Sequence, residues 1–235
     1  MNRKNSWYLD ELASAGRENL DPQHVARYDD KEDADASHEL DLLKKYGLNQ
    51  QSVVVDIGSG TGQFTMLAAG TCARAVAVDV SPLMLDRLRE KVTGANLTNV
   101  ELVQAGFLSY EHQGPLADFV YSRFTLHHIP DFWKSIALKR IRGMLREGGI
   151  FRLWDVIYDF DPSEAEERIE AWCATAPTGN TEGEWNRADY EEHVRDEHST
   201  YRWLLEPMIE KSGFEIVEVE YSPDGIFGKY ILRAI

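Results

Sequence analysis

Basic residues are scarce in this chain. Lysine and arginine total 25 against 40 aspartates and glutamates, a formal net charge of −15. Nucleic-acid binding needs a basic footprint, and no basic block is present. A net-negative chain also gains nothing from an anionic membrane surface. The expectation is no nucleic acid and no membrane among its partners, a local basic groove being the one route left to a polyanion. Cysteine is nearly absent. Cys72 and Cys173 offer neither metal-ligand spacing nor a disulfide framework. No segment approaches the roughly 18–20 apolar residues that span a bilayer. The opening Met1-Asn2-Arg3-Lys4 is not followed by an apolar stretch of signal-peptide length. A reducing cytoplasm is the compartment these absences fit.

What is present reads as one elaborated α/β domain. Hydrophobic residues make up 43% of the 235, enough for a sizeable core. Strand-like runs at Val53–Ile57, Ala75–Val80, Val100–Gln104, Ala117–Ser122 and Ile150–Asp155 alternate with helical segments. Those helices are expected at 63–69, after Ser81-Pro82 with an end near Gly94, and at 132–145. The last has Asp131 as its cap and Gly148-Gly149 as its stop. Such alternation predicts a parallel sheet with right-handed crossovers. From Asp159 to Thr200 the chain turns polar, acidic and aromatic. One helix starts at Asp161-Pro162-Ser163-Glu164 and a second runs from Arg187 to about Glu197. A helix near 201–212 and two strands, Phe214–Tyr221 and Lys229–Ala234, close the chain. Their short Ser222-Pro223-Asp224-Gly225 link suits an antiparallel pair.

Val53-Val54-Val55-Asp56-Ile57-Gly58-Ser59-Gly60-Thr61-Gly62 is the key local feature. A strand running into glycines at a helix start lets backbone N–H groups approach a ligand closely. Gln63 stands where a dinucleotide fingerprint needs its third glycine, and no Gly-Lys-Ser/Thr follows for a phosphate loop. Asp79, at the tip of the next strand, can accept both hydroxyls of a ribose.

With these blocks in order, the chain resembles the class I S-adenosylmethionine-dependent methyltransferases, over about Gln51 to Phe160 and more loosely beyond. Val53–Gly62 resembles the cofactor loop, Ala75–Leu85 the ribose block and Val100–Phe107 the adenine block. Asp118–His128 resembles the fourth motif, and Ile141–Ile150 a helix-to-strand turn of small-molecule members. The resemblance implies a doubly wound, seven-stranded, mostly parallel sheet with an antiparallel last strand and helical lid segments. It also implies S-adenosylmethionine as cofactor. Asp56 and Ser59 would belong to the cofactor site, and Gly58 and Gly60 would pass under the methionine part, with Ser122 nearby. Asp79 would hold the ribose, Val80 and Met84 would pack on the adenine, and Gly106 and Phe107 would sit at the adenine edge. Many relatives carry aspartate at the position of Gly106, where it accepts from the adenine amino group; glycine cannot.

The implied reaction moves a methyl group to a small-molecule acceptor by in-line displacement. The protein then contributes mainly positioning and exclusion of water. A base is needed only where the acceptor must lose a proton. His127 and His128 follow the fourth strand, at the edge where open α/β sheets bind ligands. His128 is a candidate base or orienting group, and Tyr28 a candidate cover for the cofactor. Arg123 either binds an acidic acceptor or pairs with a carboxylate. Trp172, Trp185 and Tyr190 suit a lid over an apolar acceptor, or the packing of small helices. No metal is expected. His193 and His198, flanked by Glu192 and Glu197, are i, i+5 on a segment that reads as acidic and solvated.

The chain divides into an N-terminal helical cap (1–50), a cofactor-binding core (51–158), a helical lid (159–200) and a terminal helix with two strands (201–235). A homodimer is compatible with the sequence. A nicotinamide-dependent oxidoreductase is the rival enzyme class, opposed by Gln63 and the fourth motif. The non-enzymatic alternative is a catalytically inactive methyltransferase-like protein that binds S-adenosylmethionine, which Gly106 keeps open.

Overall fold

The computed structural model describes residues 5–23, 25, 28, 36–177 and 185–235. Arg27 and Asp29 beside Tyr28, and the lid stretch 178–184, lie outside the described residues.

Strands β1 (Val53–Ile57), β2 (Arg74–Asp79), β3 (Val100–Gln104), β4 (Ala117–Arg123), β5 (Leu145–Tyr158), β7 (Phe214–Tyr221) and β8 (Phe227–Ala234) form one sheet in the order 3-2-1-4-5-8-7. The first five run parallel, and β8 is antiparallel to both β5 and β7. A two-residue strand, β6 (Thr200–Tyr201), adds to the end of β5; the sequence reading has no strand there.

Strand alternation explains why the sheet is covered on both faces. Val53, Val55, Ile57, Val76, Val78 and Val120 pack with Ala137, Leu138 and Ile141 of α5 (Asp131–Met144) and Leu205 and Ile209 of α8 (Arg202–Lys211). Val54, Ala75, Phe119 and Tyr121 face the other way. They meet Leu40 and Leu43 of α2 (Ser37–Lys45) and Phe64 and Ala68 of α3 (Gln63–Ala69). Ala77 meets Leu88 and Val92 of α4 (Pro82–Gly94) on that side. The doubly wound architecture is the one the resemblance implies. Among the described residues no helix is long and apolar enough to cross a membrane.

Caps fall where short polar side chains precede helices. The Ser81 hydroxyl accepts from Met84 N, and Asp161 caps the short turn leading into α6 (Ala165–Cys173). Asn186 and Asp189 form a reciprocal box at the start of α7 (Arg187–Asp196). At α5 the expectation fails. Pro130 is the cap, and Asp131 is already helical, its carboxylate accepting from Lys134 Nζ at 2.9 Å and Thr200 Oγ1 at 3.2 Å. Nor do Gly148-Gly149 end this helix. It stops at Met144, and β5 begins at once with Leu145 paired to Ala117, ahead of a register shift that absorbs the glycines.

One buried ion pair ties the N-terminal cap to the sheet. Arg152 of β5 donates from Nε and Nη2 to both oxygens of Glu39 on α2, at 2.6 and 2.8 Å, with both side chains almost fully enclosed. Removing one partner of such a pair strands the other charge in the interior. Glu39→Ala is therefore expected to cost about 3–5 kcal/mol, read as a lowered denaturant midpoint at unchanged slope. The double change Glu39→Leu/Arg152→Met should recover most of the loss.

Candidate active site

The strand order reverses between β1 and β4, and open α/β sheets bind ligands outside the carboxyl ends of the strands at such a switch. The turns after β1, β2, β3 and β4 all gather at this edge and line connected cavities.

The first cavity lies along the glycine loop. Gly58, with φ +75°, presses on the turn after β4: a Cβ there would lie 2.1 Å from Thr125 Oγ1, so only glycine fits. Asp79 is buried at the end of β2. One oxygen accepts from Gly60 N and the other from Ser81 N, each at 2.8 Å. A carboxylate can accept more bonds than these, and Asp79 lines the cavity together with Val80, Gly106 and Phe107. Burial pushes the Asp79 carboxyl up to about 6 despite those N–H groups. Asp56 accepts from Thr65 Oγ1 at 2.5 Å, and burial, with Asp79 close by, pushes it up to about 7. Asp56, Ser59 and Gly60 line the continuation of this cavity beside Tyr28. The Ser59 hydroxyl is buried and has no hydrogen-bond partner among the described residues. The Tyr28 ring approaches to 3.6 Å from where a Gly60 Cβ would stand.

Two candidates sit elsewhere. Ser122 is fully buried and lines none of these cavities, because alternation along β4 turns Tyr121 and Arg123 toward the site and Ser122 away. Met84 is buried in α4 and also lines none of them; of the two adenine candidates only Val80 reaches the cavity.

At Gly106 a residue from far away fills the gap. A Cβ on Gly106 would stand 2.4 Å from Glu11 Oε1. Glu11 opens the short helix α1 (Glu11–Ser14), which Asp10 caps. Its carboxylate accepts from Leu108 N at 2.8 Å and Ser109 Oγ at 2.7 Å, and lines the cavity. The sequence reading missed Glu11. Gly106 leaves the space that the Glu11 carboxylate occupies, but nothing local in the sequence names the residue that fills it.

The second cavity shares Asn19, Tyr28, Phe124 and His128 with the first. Its far wall is Val156, Trp172, Trp185, Tyr190, His193, Glu197 and Phe227. Helices α6 and α7 thus pack their aromatics over the carboxyl end of β5. His127 lies behind His128, its Nδ1 2.5 Å from buried Asp155. Burial pushes the imidazolium toward neutrality, but Asp155 and then Glu197 outweigh it and hold its pKa above the usual value. Burial and the neighbouring His127 push His128 down to about 3, so it is neutral. Its Nδ1 is enclosed and has no hydrogen-bond partner among the described residues. Arg123 lays its guanidinium 4.1 Å over the Trp154 ring. His193 is buried, contrary to the solvated reading, and its Nε2 meets Ser199 Oγ at 2.8 Å. His198 is not part of this wall.

The raised Asp79 and Asp56 pKa values make stability fall with pH. The folded state holds their protons more tightly than the unfolded chain, whose aspartates titrate near about 3.9. This stabilisation is fully present below about pH 4 and lost as pH rises through about 6 and about 7. Thermal melts of the unliganded protein should show Asp79→Asn and Asp56→Asn flattening the decline between those limits. An unchanged slope in both variants would contradict the assignment.

Residues 54–149 match the methyltransferase domain family. A demethylmenaquinone methyltransferase of Staphylococcus carnosus is 30% identical over 112 residues, 46% of this chain and 45% of its own length. That of Shouchella clausii is 28% identical over 99 residues, 41% and 42%. The chain thus spans less than half the length of these curated relatives. Among solved structures, an S-adenosylmethionine-dependent methyltransferase from Aquifex aeolicus superposes with a TM-score of 0.61 at 18% identity, covering 92% of this chain and all of the other. A [4+2]-cyclase, SpnF, superposes with 0.63 at 15% identity, covering 85% and 80%. Such likeness carries the fold and leaves the chemistry to the site. In its matched residues 54–149, its sheet order and its glycine loop, this chain is similar to the methyltransferase domain family and shares the fold of S-adenosylmethionine-dependent methyltransferases.

Proposed function

We propose that the protein transfers a methyl group from S-adenosylmethionine to a small-molecule acceptor. The observation that carries this is the shared wall: a glycine-loop cavity and an aromatic cavity meet at Asn19, Tyr28, Phe124 and His128. The residues present fit the cofactor. Asp79 has acceptor capacity for ribose hydroxyls, buried Ser59 Oγ has no hydrogen-bond partner among the described residues, and Glu11 would supply the carboxylate that Gly106 cannot. The cofactor, when bound, supplies a methyl group already activated by sulfonium charge.

The chain's own task is then positioning. Asp56, Gly58, Ser59 and Gly60 would hold the methionine part and Val80 would pack on the adenine. Gly106 would leave room for the Glu11 carboxylate, which would accept from the adenine amino group. Tyr28 and His128 would face both ligands. A neutral His128 with a free nitrogen suits accepting a hydrogen bond from the acceptor. The aromatic wall would exclude water.

Binding without turnover is the second reading. It leans on Gly106, and Glu11 weakens it. The acidic surface favours a small molecule over nucleic acid or membrane as partner, with a homodimer compatible and the cytoplasm as compartment.

Calorimetry should find S-adenosylhomocysteine binding in the micromolar range, roughly −7 to −8 kcal/mol, and no binding of nicotinamide cofactors. Asp79→Ala should lose about 2–4 kcal/mol of this affinity, since bonds to a charged acceptor are worth about 1.5–3 kcal/mol each. Glu11→Ala should weaken it about tenfold or more by the same argument. Equal affinity in Glu11→Ala would remove Glu11 from the adenine site.

The cap (1–50) and lid (159–200) would close over the two ligands. Hydrogen exchange should show both segments less protected than β1 and β4 when unliganded, and slowed by S-adenosylhomocysteine. Protection that follows protein concentration instead would make them an oligomer interface.

A further inference from the structure

Two imidazoles and a carboxylate converge at the back of the aromatic cavity. Glu197 Oε2 touches His193 Nδ1 and lies 3.2 Å from His127 Nε2. One donor atom from each of the three residues lies within 4.8 Å of the others. A divalent cation bound at about 2.0–2.2 Å draws such a set together.

Three independent features make this more than a polar cluster. The remaining nitrogen of each histidine is already engaged, His127 Nδ1 by Asp155 and His193 Nε2 by Ser199 Oγ. Outer partners of this kind fix the ring orientation of metal-ligating histidines and leave the inner nitrogens to converge. Two carboxylates, buried Asp155 and partly buried Glu197, sit among three imidazoles, so a cation at the centre would replace the proton that they favour on His127. The buried His128 Nδ1, without a hydrogen-bond partner among the described residues, stands 3.8 Å from Glu197 Oε1, within reach of whatever occupies the centre. His127, His128, His193 and Glu197 all line the cavity, so one side of the cluster faces it.

We propose that His127, His193 and Glu197 form a divalent-cation site of the zinc type, open toward the aromatic cavity. The set has the composition of a catalytic site: three protein ligands, with a further position left for water or substrate. This deepens the methyltransferase reading and rests on it for its substrate class. A hydroxyl or thiol of the acceptor would coordinate there and release its proton to water, leaving an oxygen or sulfur anion beside the shared wall. His198, which the sequence pairs with His193, takes no part: its backbone N–H donates to His127 O, and its ring does not line the cavity.

The test uses the full chain freed of metal with a chelator and titrated with Co2+ by absorbance, then with Zn2+ in competition. One equivalent should bind. Glu197→Gln, which keeps the shape, and His193→Ala should abolish binding. Ser199→Ala should weaken it about 10–100-fold, and His198→Ala should leave it unchanged. Circular dichroism and S-adenosylhomocysteine binding, measured on each variant, report separately on the fold and on the cofactor reading. Failure of the wild type to bind a stoichiometric cation, or equal affinity in Glu197→Gln, would overturn the site and leave a hydrogen-bonded histidine–carboxylate relay in its place. A wild type that binds the cation but not S-adenosylhomocysteine would keep the site and remove the methyltransferase reading.

Discussion

The site depends on one enclosed carboxylate. Asp155 of β5 accepts from Thr125 N at 3.2 Å, Leu126 N at 2.7 Å, Val156 N at 2.7 Å and His127 Nδ1 at 2.5 Å. Four donors on one buried carboxylate repay its desolvation and hold it ionised; its pKa lies below the usual value although burial alone would raise it. Three of the four come from the turn after β4. The carboxylate therefore fixes that turn, and with it Thr125 against the glycine loop, His127 toward the lid and His128 between the two cavities. Lateral pairing of β4 with β5 brings the parts together, and Asp155 sets their angle.

A second constraint is the reach of the N-terminal segment. The Tyr8 ring packs 4.8 Å from that of Trp133 on α5, and Asp10 caps the turn that presents Glu11. Glu11 then crosses to β3's outgoing loop and bonds Leu108 and Ser109. A distant segment thus places a carboxylate beside Gly106, at the edge of the cavity. The cap in turn is anchored by Glu39 on Arg152, so the sheet that carries Asp155 also holds the cap.

Much of the fold is legible along the chain because local signals agree. Val53–Ile57, Gln63–Ala69 and Val100–Gln104 have their observed bounds. Misreadings cluster where tertiary pairing overrides a local cue. Asp131 looks like a cap until Lys134 and Thr200 claim its carboxylate. Gly148-Gly149 looks like a helix stop until β5 starts at Leu145. Thr200–Tyr201 becomes a strand only because the end of β5 lies beside it.

By itself the sequence determined the parallel core, the glycine loop and Asp79 at a strand tip. These depend on periodicity and on turn residues within a few positions of one another. Only the tertiary structure decided that Ser122 and Met84 turn away from the cavities and that the Glu11 carboxylate occupies the space beside Gly106. It also brought His127, His193 and Glu197, more than 60 positions apart at the extremes, to one point. No spacing rule reaches across a lid that folds back onto the sheet edge. Convergence there is set by packing of Trp172, Tyr190 and Phe227, and packing is a property of the assembled chain.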